Sequence, residues 1–292
     1  MLGENELASQ VIFGWDPLWV STILFIATYA LIASEKINRA IVSGLGAALM
    51  VSLGVLSQET AISGIDFNTL GLLTGMMVIV AITRESGVFQ YVAVWSAKRV
   101  KASPWGILLT LSLVTAVFSS LLDNVTTVLL IAPVTLLISH ELKINPYPFL
   151  FAEIFASNIG GTATLIGDPP NIMIGSAVNL SFNDFLFNLA PIIPLILAIT
   201  LGIIYLIWGR SMHATADARE RIMQFREREA ITDVRLLKQS MLVLALVMTG
   251  FILAHPLGLE PATIAMFGAA LLLLLSNLKN DAEEQSEEGE FN

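Results

Sequence analysis

Long apolar runs broken by short polar clusters set the pattern of this chain. Asp16-Pro17 joins a capping carboxylate to a proline at the first helical position, and the run it opens, to Ala33, has the length a bilayer needs. A second run, Ala40 to Leu56, carries Gly44, Gly46 and Gly54, small residues that let helices approach closely. Asn68 is placed to cap a third, Thr69 to Thr83, and an amphipathic piece follows from Val88 to Val100. Ser103-Pro104 repeats the cap-plus-proline signal ahead of Trp105 to Leu122, which resumes after a polar cluster as Val125 to Ile138. Pro146 and Pro148 open a helix through Ala156. Gly160-Gly161 and Gly167-Asp168-Pro169-Pro170 then interrupt it, because glycine frees the backbone and two prolines lack amide protons. Ser181-Phe182-Asn183-Asp184 has the spacing of a capping box before the run Phe185 to Trp208. Arg210 to Lys238 is polar, Arg-rich and partly amphipathic, a solvated connector at the interface, and two more spans follow, Ser240 to Ala254 and Pro261 to Leu275.

Composition narrows the class. With 292 residues, 55% hydrophobic and only 13% charged, the chain is far from soluble averages and reads as an all-α polytopic membrane protein whose first partner is the lipid bilayer. The net charge of -9 owes much to six acids among the last twelve residues, so 278–292 reads as a disordered acidic tail and no charged partner is inferred. Absence of cysteine excludes disulfides, thiolate zinc sites and thiol chemistry. No basic segment precedes the first apolar run, so no cleavable signal peptide is expected. His140, His213 and His255 are scattered without HExxH, which disfavours zinc hydrolysis. The connector has no nucleic-acid recognition motif and interleaves Asp217, Glu220, Glu227, Glu229 and Asp233 with its arginines, so no nucleic acid is expected.

Charge also orients the map. If the first span runs inward and the pair Trp105–Leu122 and Val125–Ile138 makes no net crossing, all 15 Lys and Arg fall on one side, the cytoplasmic one. The other side then holds Glu4, Glu6, Asp16, Glu59, Asp66, Asp184, His255 and Glu260. The expected setting is the cytoplasmic (inner) membrane, with the N-terminus outside and the C-terminal tail inside. Two full spans in place of the pair would give the same parity. The pair is read as a re-entrant hairpin, about 104–139, because its turn, Asp-Asn-Thr-Thr, lacks glycine, proline and lysine and its return arm is short for a crossing.

Two clusters carry the candidate chemistry. A carboxylate at mid-bilayer costs at least ~2.5–3.5 kcal/mol, and unwound backbone survives there only where protein or a water-filled cavity surrounds it. Something must offset that cost, and an ion or polar solute bound between the clusters would do so. Hydroxyls of Thr126, Thr127, Ser157 and Thr162 and amides of Asn124 and Asn158 suit a cation's hydration shell, although such hydroxyls often only bond their own backbone. Asp123 is the sharper candidate, pairing with sodium or taking up a proton, against the reading that it only shapes the tip. Asp168 before Pro169-Pro170 is also a simple turn former. Glu153 falls near the cytoplasmic end of its helix, where an accessible acid needs no function.

The runs SSLLDNVTTVLLIAPV and SNIGGTATLIGDPPN resemble those of the arsenite-pump and sodium/proton-antiporter (ArsB/NhaD) ion-transporter superfamily, in its pink-eyed-dilution P-protein branch, which neighbours the citrate and divalent-anion symporters. The likeness covers roughly Pro17 to Ser276. It implies a cation-coupled secondary transporter, a homodimer, with inverted repeats that each set a re-entrant hairpin and a broken helix against a midplane site. By that likeness Asp123, Asn124, Thr126 and Thr127 fall on the hairpin tip, and Ser157, Asn158, Gly160, Gly161, Thr162, Thr164, Gly167, Asp168 and Asn171 on the broken helix, about 147–178. Sodium is the one ion suggested, at Asp123, Asn124, Thr127 and Gly160, with no organic cofactor. The first repeat would be 1–209, the connector 210–238, and 239–277 two spans opening an incomplete second repeat. No second copy of DNVTT or GGTATxIGDPPN is seen. A truncated chain, or a partner supplying the other half, is therefore expected.

The expected function is transport, by sodium/proton exchange or by cation-coupled movement of an anion, and not enzymatic. Two rivals stand beside it: an intramembrane aspartyl protease using Asp123 and Asp168, and a structural membrane subunit without transport. The Pro-Pro after Asp168 and the surplus of Gly, Thr and Asn argue against the protease, whose dyad needs carboxyls at about hydrogen-bonding separation.

Overall fold

The computed structural model describes residues 14–290, without the side chains of His255 and residues 278–290. The acids Glu4 and Glu6, the last two residues and the side chains of the acidic tail lie outside that set. The protein is an all-α polytopic membrane protein, divided into two compact units at Asp66–Phe67.

The first unit contains α1 (Pro17–Ala33), α2 (Arg39–Ser52) and the short α3 (Gln58–Ser63). Asp16 caps α1 as its sequence demands, accepting from the Leu18 amide at 2.9 Å. α1 and α2 pack on each other at Gly46, where a Cβ would come within 2.6 Å of Thr28 Oγ1. Most of their apolar side chains are exposed, as surfaces meant for lipid are.

The second unit runs α4 (Phe67–Glu85), α5 (Val88–Arg99), α6 (Pro104–Leu121), α7 (Asn124–Glu141), α8 (Tyr147–Gly161), α9 (Pro169–Val178), α10 (Phe182–Asn188), α11 (Ile193–Ile204), α12 (Ala216–Met223), α13 (Val234–Leu257) and α14 (Pro261–Glu290). By length and composition α4, α6, α7 and Val234–Ala254 of α13 can each cross a membrane. Its core has two main parts, one gathering α5 to α8, α11 and α12 around Leu111, Ile138 and Phe149, the other gathering α4, α10, α13 and α14 around Leu72, Ile79 and Phe251.

Several local expectations change in the folded chain. The return arm of the hairpin, read as short, is an 18-residue helix, as long as the first arm. Residues Phe185–Trp208, read as one span, bend by 55° between α10 and α11. Pro191 and Pro194 stand at that bend and each removes an amide from the ladder. Ser181 and Asp184 do form the capping box. Asn68, read as a cap for α4, lies inside that helix and caps another one: its Oδ1 accepts from the Ala262 amide of α14 at 3.1 Å, and its Nδ2 donates to Glu260 at 2.8 Å.

The connector is docked rather than solvated. Ala218 and Ile222, four apart on α12, are buried in the α5–α8 core. Lys98 Nζ donates to Glu227 at 2.6 Å and to the Phe225 carbonyl at 3.0 Å, and that hydrogen bond holds the Glu227 carboxyl below its usual range. Arg219 donates to the Lys101 carbonyl at 2.8 Å and Arg221 to the Glu141 carbonyl at 2.9 Å. The connector thus gathers the loops after α4, α5 and α7 at one end of the second unit, while Asn68, Glu260 and the bond from Asn183 to the Ile252 carbonyl mark the other.

Candidate functional site

α6 stops where Leu122 takes an extended conformation, and Asp123 restarts the chain as α7 by accepting from the Thr126 amide through Oδ2 at 2.8 Å. An aspartate suits this position twice over, as an N-cap and as negative charge at the positive end of a helix. Its Oδ1 has no hydrogen-bond partner among the described residues. Asn124, next to it, turns its Oδ1 to the Val125 amide and donates from Nδ2 to Asn158 Oδ1 on α8 at 2.7 Å. This amide pair bridges the hairpin and α8, and a crevice of about 220 Å³ lined by Asn124, Val125, Ile154, Ser157 and Asn158 opens beside it.

α8 breaks because its last turn must fit under the hairpin. A Cβ on Gly160 would lie 2.2 Å from the Ala116 carbonyl oxygen, and one on Gly167 would lie 2.4 Å from the Gly161 carbonyl and 2.5 Å from that of Ser119. No larger residue permits this approach. The chain then turns through 163–168 and restarts at Pro169. Ala163, Thr164, Leu165 and Ile166 are buried, so the break is enclosed by protein. Cross-links hold it: Thr164 Oγ1 donates to the Ser120 carbonyl at 2.5 Å, Ser119 Oγ to the Ser157 carbonyl at 2.6 Å, and Asn171 Nδ2 to the carbonyls of Thr164 at 2.9 Å and Gly161 at 3.3 Å.

What the break leaves open matters more. Among the described residues no hydrogen bond is donated by the backbone amides of Thr164, Leu165, Ile166, Gly167 or Asp168. Buried amides are almost always paired, so a run of unpaired ones calls for water or a bound acceptor. Asp168 precedes α9 but makes no capping bond with its side chain. It lies close enough to Asp123 for the two carboxylates to repel. A cation between them would relieve that repulsion, and no hydrogen bond of a protease dyad joins them among the described residues.

The remaining candidates divide by geometry. Thr127, Ser157 and Thr162 donate to backbone carbonyls of their own segments, at 2.9, 3.0 and 2.8 Å, keeping only lone pairs for a cation. The Gly160 carbonyl already accepts from the Ala163 amide at 3.0 Å. Thr126 contributes its amide to Asp123, and its hydroxyl makes no hydrogen bond among the described residues. Glu153, expected to be accessible, is 1% exposed. The only sequence signal for that was its place four residues before Ser157 on the face that the hairpin covers.

A model of the citrate transporter family matches residues 29–286. The chain belongs to that family. At 47% identity over 89% of this chain and 62% of its own length, it is similar to a 46 kDa membrane protein of Mycobacterium leprae. Magnetosome protein MamN of Magnetospirillum gryphiswaldense is 33% identical over 90% of this chain and 61% of its own length. The P protein of Homo sapiens is 37% identical over 66% of this chain and 24% of its own length. The chain therefore spans about three fifths of the first two relatives. Family and likeness agree with the superfamily that the DNVTT and GGTATLIGDPPN runs suggested.

Proposed function

We propose that this citrate-transporter family member is a cation-coupled secondary transporter of a small anion, with its site between the tip at Asp123–Asn124 and the break at Gly160–Asp168. The observation that carries this reading is the pairing of opposite needs in one place. Two mutually repelling carboxylates favour a cation, and successive unpaired amides favour an anion. Citrate, named in the family description, is an anion of the kind such amides accept. The hairpin tip is re-entrant in this reading, since a site must be reached from both sides in turn.

Flux tests it. In proteoliposomes, uptake of labelled citrate or another small carboxylate should follow an imposed sodium or proton gradient. Sodium jumps that move protons without any anion would replace anion transport by sodium/proton exchange, and no gradient-driven flux of either kind would end the reading.

The orientation is checked separately, on a chain with no cysteine of its own. The proposed arrangement has the N-terminus outside the cytoplasmic membrane and the tail inside, in a homodimer. A cysteine at Ser211 should react only from the cytoplasmic side and one at Ser63 only from outside. Labelling of Ser211→Cys from outside in sealed cells would overturn the map.

A further inference from the structure

One carboxyl group sits in the bundle core apart from every other ionisable side chain among the described residues. Glu153, midway along α8, is 1% exposed. Its Oε1 accepts from Thr135 Oγ1 of α7 at 2.5 Å, and its Oε2 is buried with no hydrogen-bond partner among the described residues. The core that α8 shares with α6 and α7 is apolar and includes Ala152 and Ala156 of α8, Val134 and Ile138 of α7 and Leu108 and Leu111 of α6. The helices packed most extensively on α8 are α6, α7 and α11. α6 and α11 carry no ionisable side chain. α7 carries only His140 and Glu141, in its last turn, and Glu141 lies 3.3 Å from Arg221.

A bare carboxylate here would lack any compensating charge, which low-polarity surroundings penalise. Protonation removes that cost. The face of α6 that carries Leu108, Leu111 and Ala116 also carries Ser112 Oγ and Thr115 Oγ1, both buried and without partners among the described residues. They are hydroxyls available to a proton carrier. Sodium would call for a full shell of oxygens in place of its hydration, and Glu153 offers one carboxylate oxygen without a partner among the described residues.

We propose that Glu153 is a buried proton-binding site, a second ionic site one helical turn before Ser157 and apart from the hairpin tip. One proton binds one carboxylate oxygen, is taken from water and is returned to water, and nothing else is exchanged. Its part in coupling rests on the transport reading above, whereas the protonation itself does not.

The experiment is infrared difference spectroscopy on the purified full chain, with a parallel flux assay. At neutral pH the protein should show a carboxylic-acid carbonyl band that is lost in Glu153→Gln, with helix content unchanged. Thr135→Val, which keeps the carboxyl, should shift the band, and this arm decides if Glu153→Gln does not fold. A wild-type spectrum without the band, a band that survives Glu153→Gln, or one unmoved by Thr135→Val would overturn the site. Disappearance of the band on adding sodium at fixed pH would overturn the proton in favour of sodium. In proteoliposomes Glu153→Gln should lose proton dependence of flux while retaining substrate binding. Absence of all flux in the wild type would count against the transport reading and leave the infrared result standing.

Discussion

Asp123→Asn should lower cation-dependent flux by about tenfold to a hundredfold, the equivalent of the ~1.5–3 kcal/mol carried by a hydrogen bond to a charged group, with expression and helix content near wild type. The expected separation of function from folding comes from what the side chain does locally. Its one observed bond is an N-cap to Thr126 at 2.8 Å, and asparagine caps as well as aspartate does. The structural loss is limited to the charge at the head of α7, about 0.3–1 kcal/mol. The functional loss is larger because, in the proposed site, Oδ1, unbonded among the described residues, is the oxygen that would take a cation. Asp168→Asn should do less, since Asp123 stays to bind. Flux that keeps both its sodium and its pH dependence in Asp123→Asn would make the aspartate a shape determinant only, and coupling would have to be sought among the groups around Gly160 and Thr162.

Local chemistry made much of the fold legible. Asp16-Pro17 fixes the start of α1, the Ser181 capping box fixes α10, and Gly160 to Pro170 breaks a helix wherever it is placed, because missing amides and missing side chains act at their own positions. Features that depend on a distant partner were not legible. Asn68 caps α14, nearly two hundred positions away in sequence, by an ordinary Asx contact that nothing near it announces. The bend at Pro191 and Pro194 was in plain view, but the apolar run around it has the length of one span and hid it. Ala218 and Ile222, at helical spacing among charges, were the signal that the connector docks.

The candidate site divides in the same way. Its location follows from residue types that lipid does not tolerate, and the structure does bring Asp123, Asn124, Asn158, Thr164, Gly167, Asp168 and Asn171 to one junction of α6, α7, α8 and α9. The roles of individual hydroxyls were not readable, because a threonine on a helix bonds the carbonyl one turn back whether or not it serves a ligand, as Thr127 and Thr162 do. Glu153 was misread for a related reason. Its burial is decided by α6 and α7 closing over it, and sequence position alone put it near an accessible helix end.

That closure predicts the second large effect, a loss of stability on Gly160→Ala. In a helix interior the change from glycine to alanine favours the helix by roughly 0.8–1 kcal/mol, so propensity alone would make the variant more stable. Packing reverses the sign. The new Cβ would stand 2.2 Å from the carbonyl oxygen and 2.5 Å from the Cα of Ala116, backbone atoms that cannot rotate away, so α6 and α8 must separate. Overpacking of this kind costs about 1–3 kcal/mol, occasionally more, which outweighs the gain. Separation also pulls on the Asn124–Asn158 bridge of 2.7 Å, so flux should fall together with stability. Gly202→Ala is the control, since Gly202 lies in α11 with nothing within 4 Å of its added Cβ. Heating the purified variants and following the folded fraction should show Gly160→Ala unfolding below wild type and Gly202→Ala at or above it. Equal midpoints for the two would mean that α6 and α8 do not meet at Gly160 as closely as described, and the junction built on that contact would have to be redrawn.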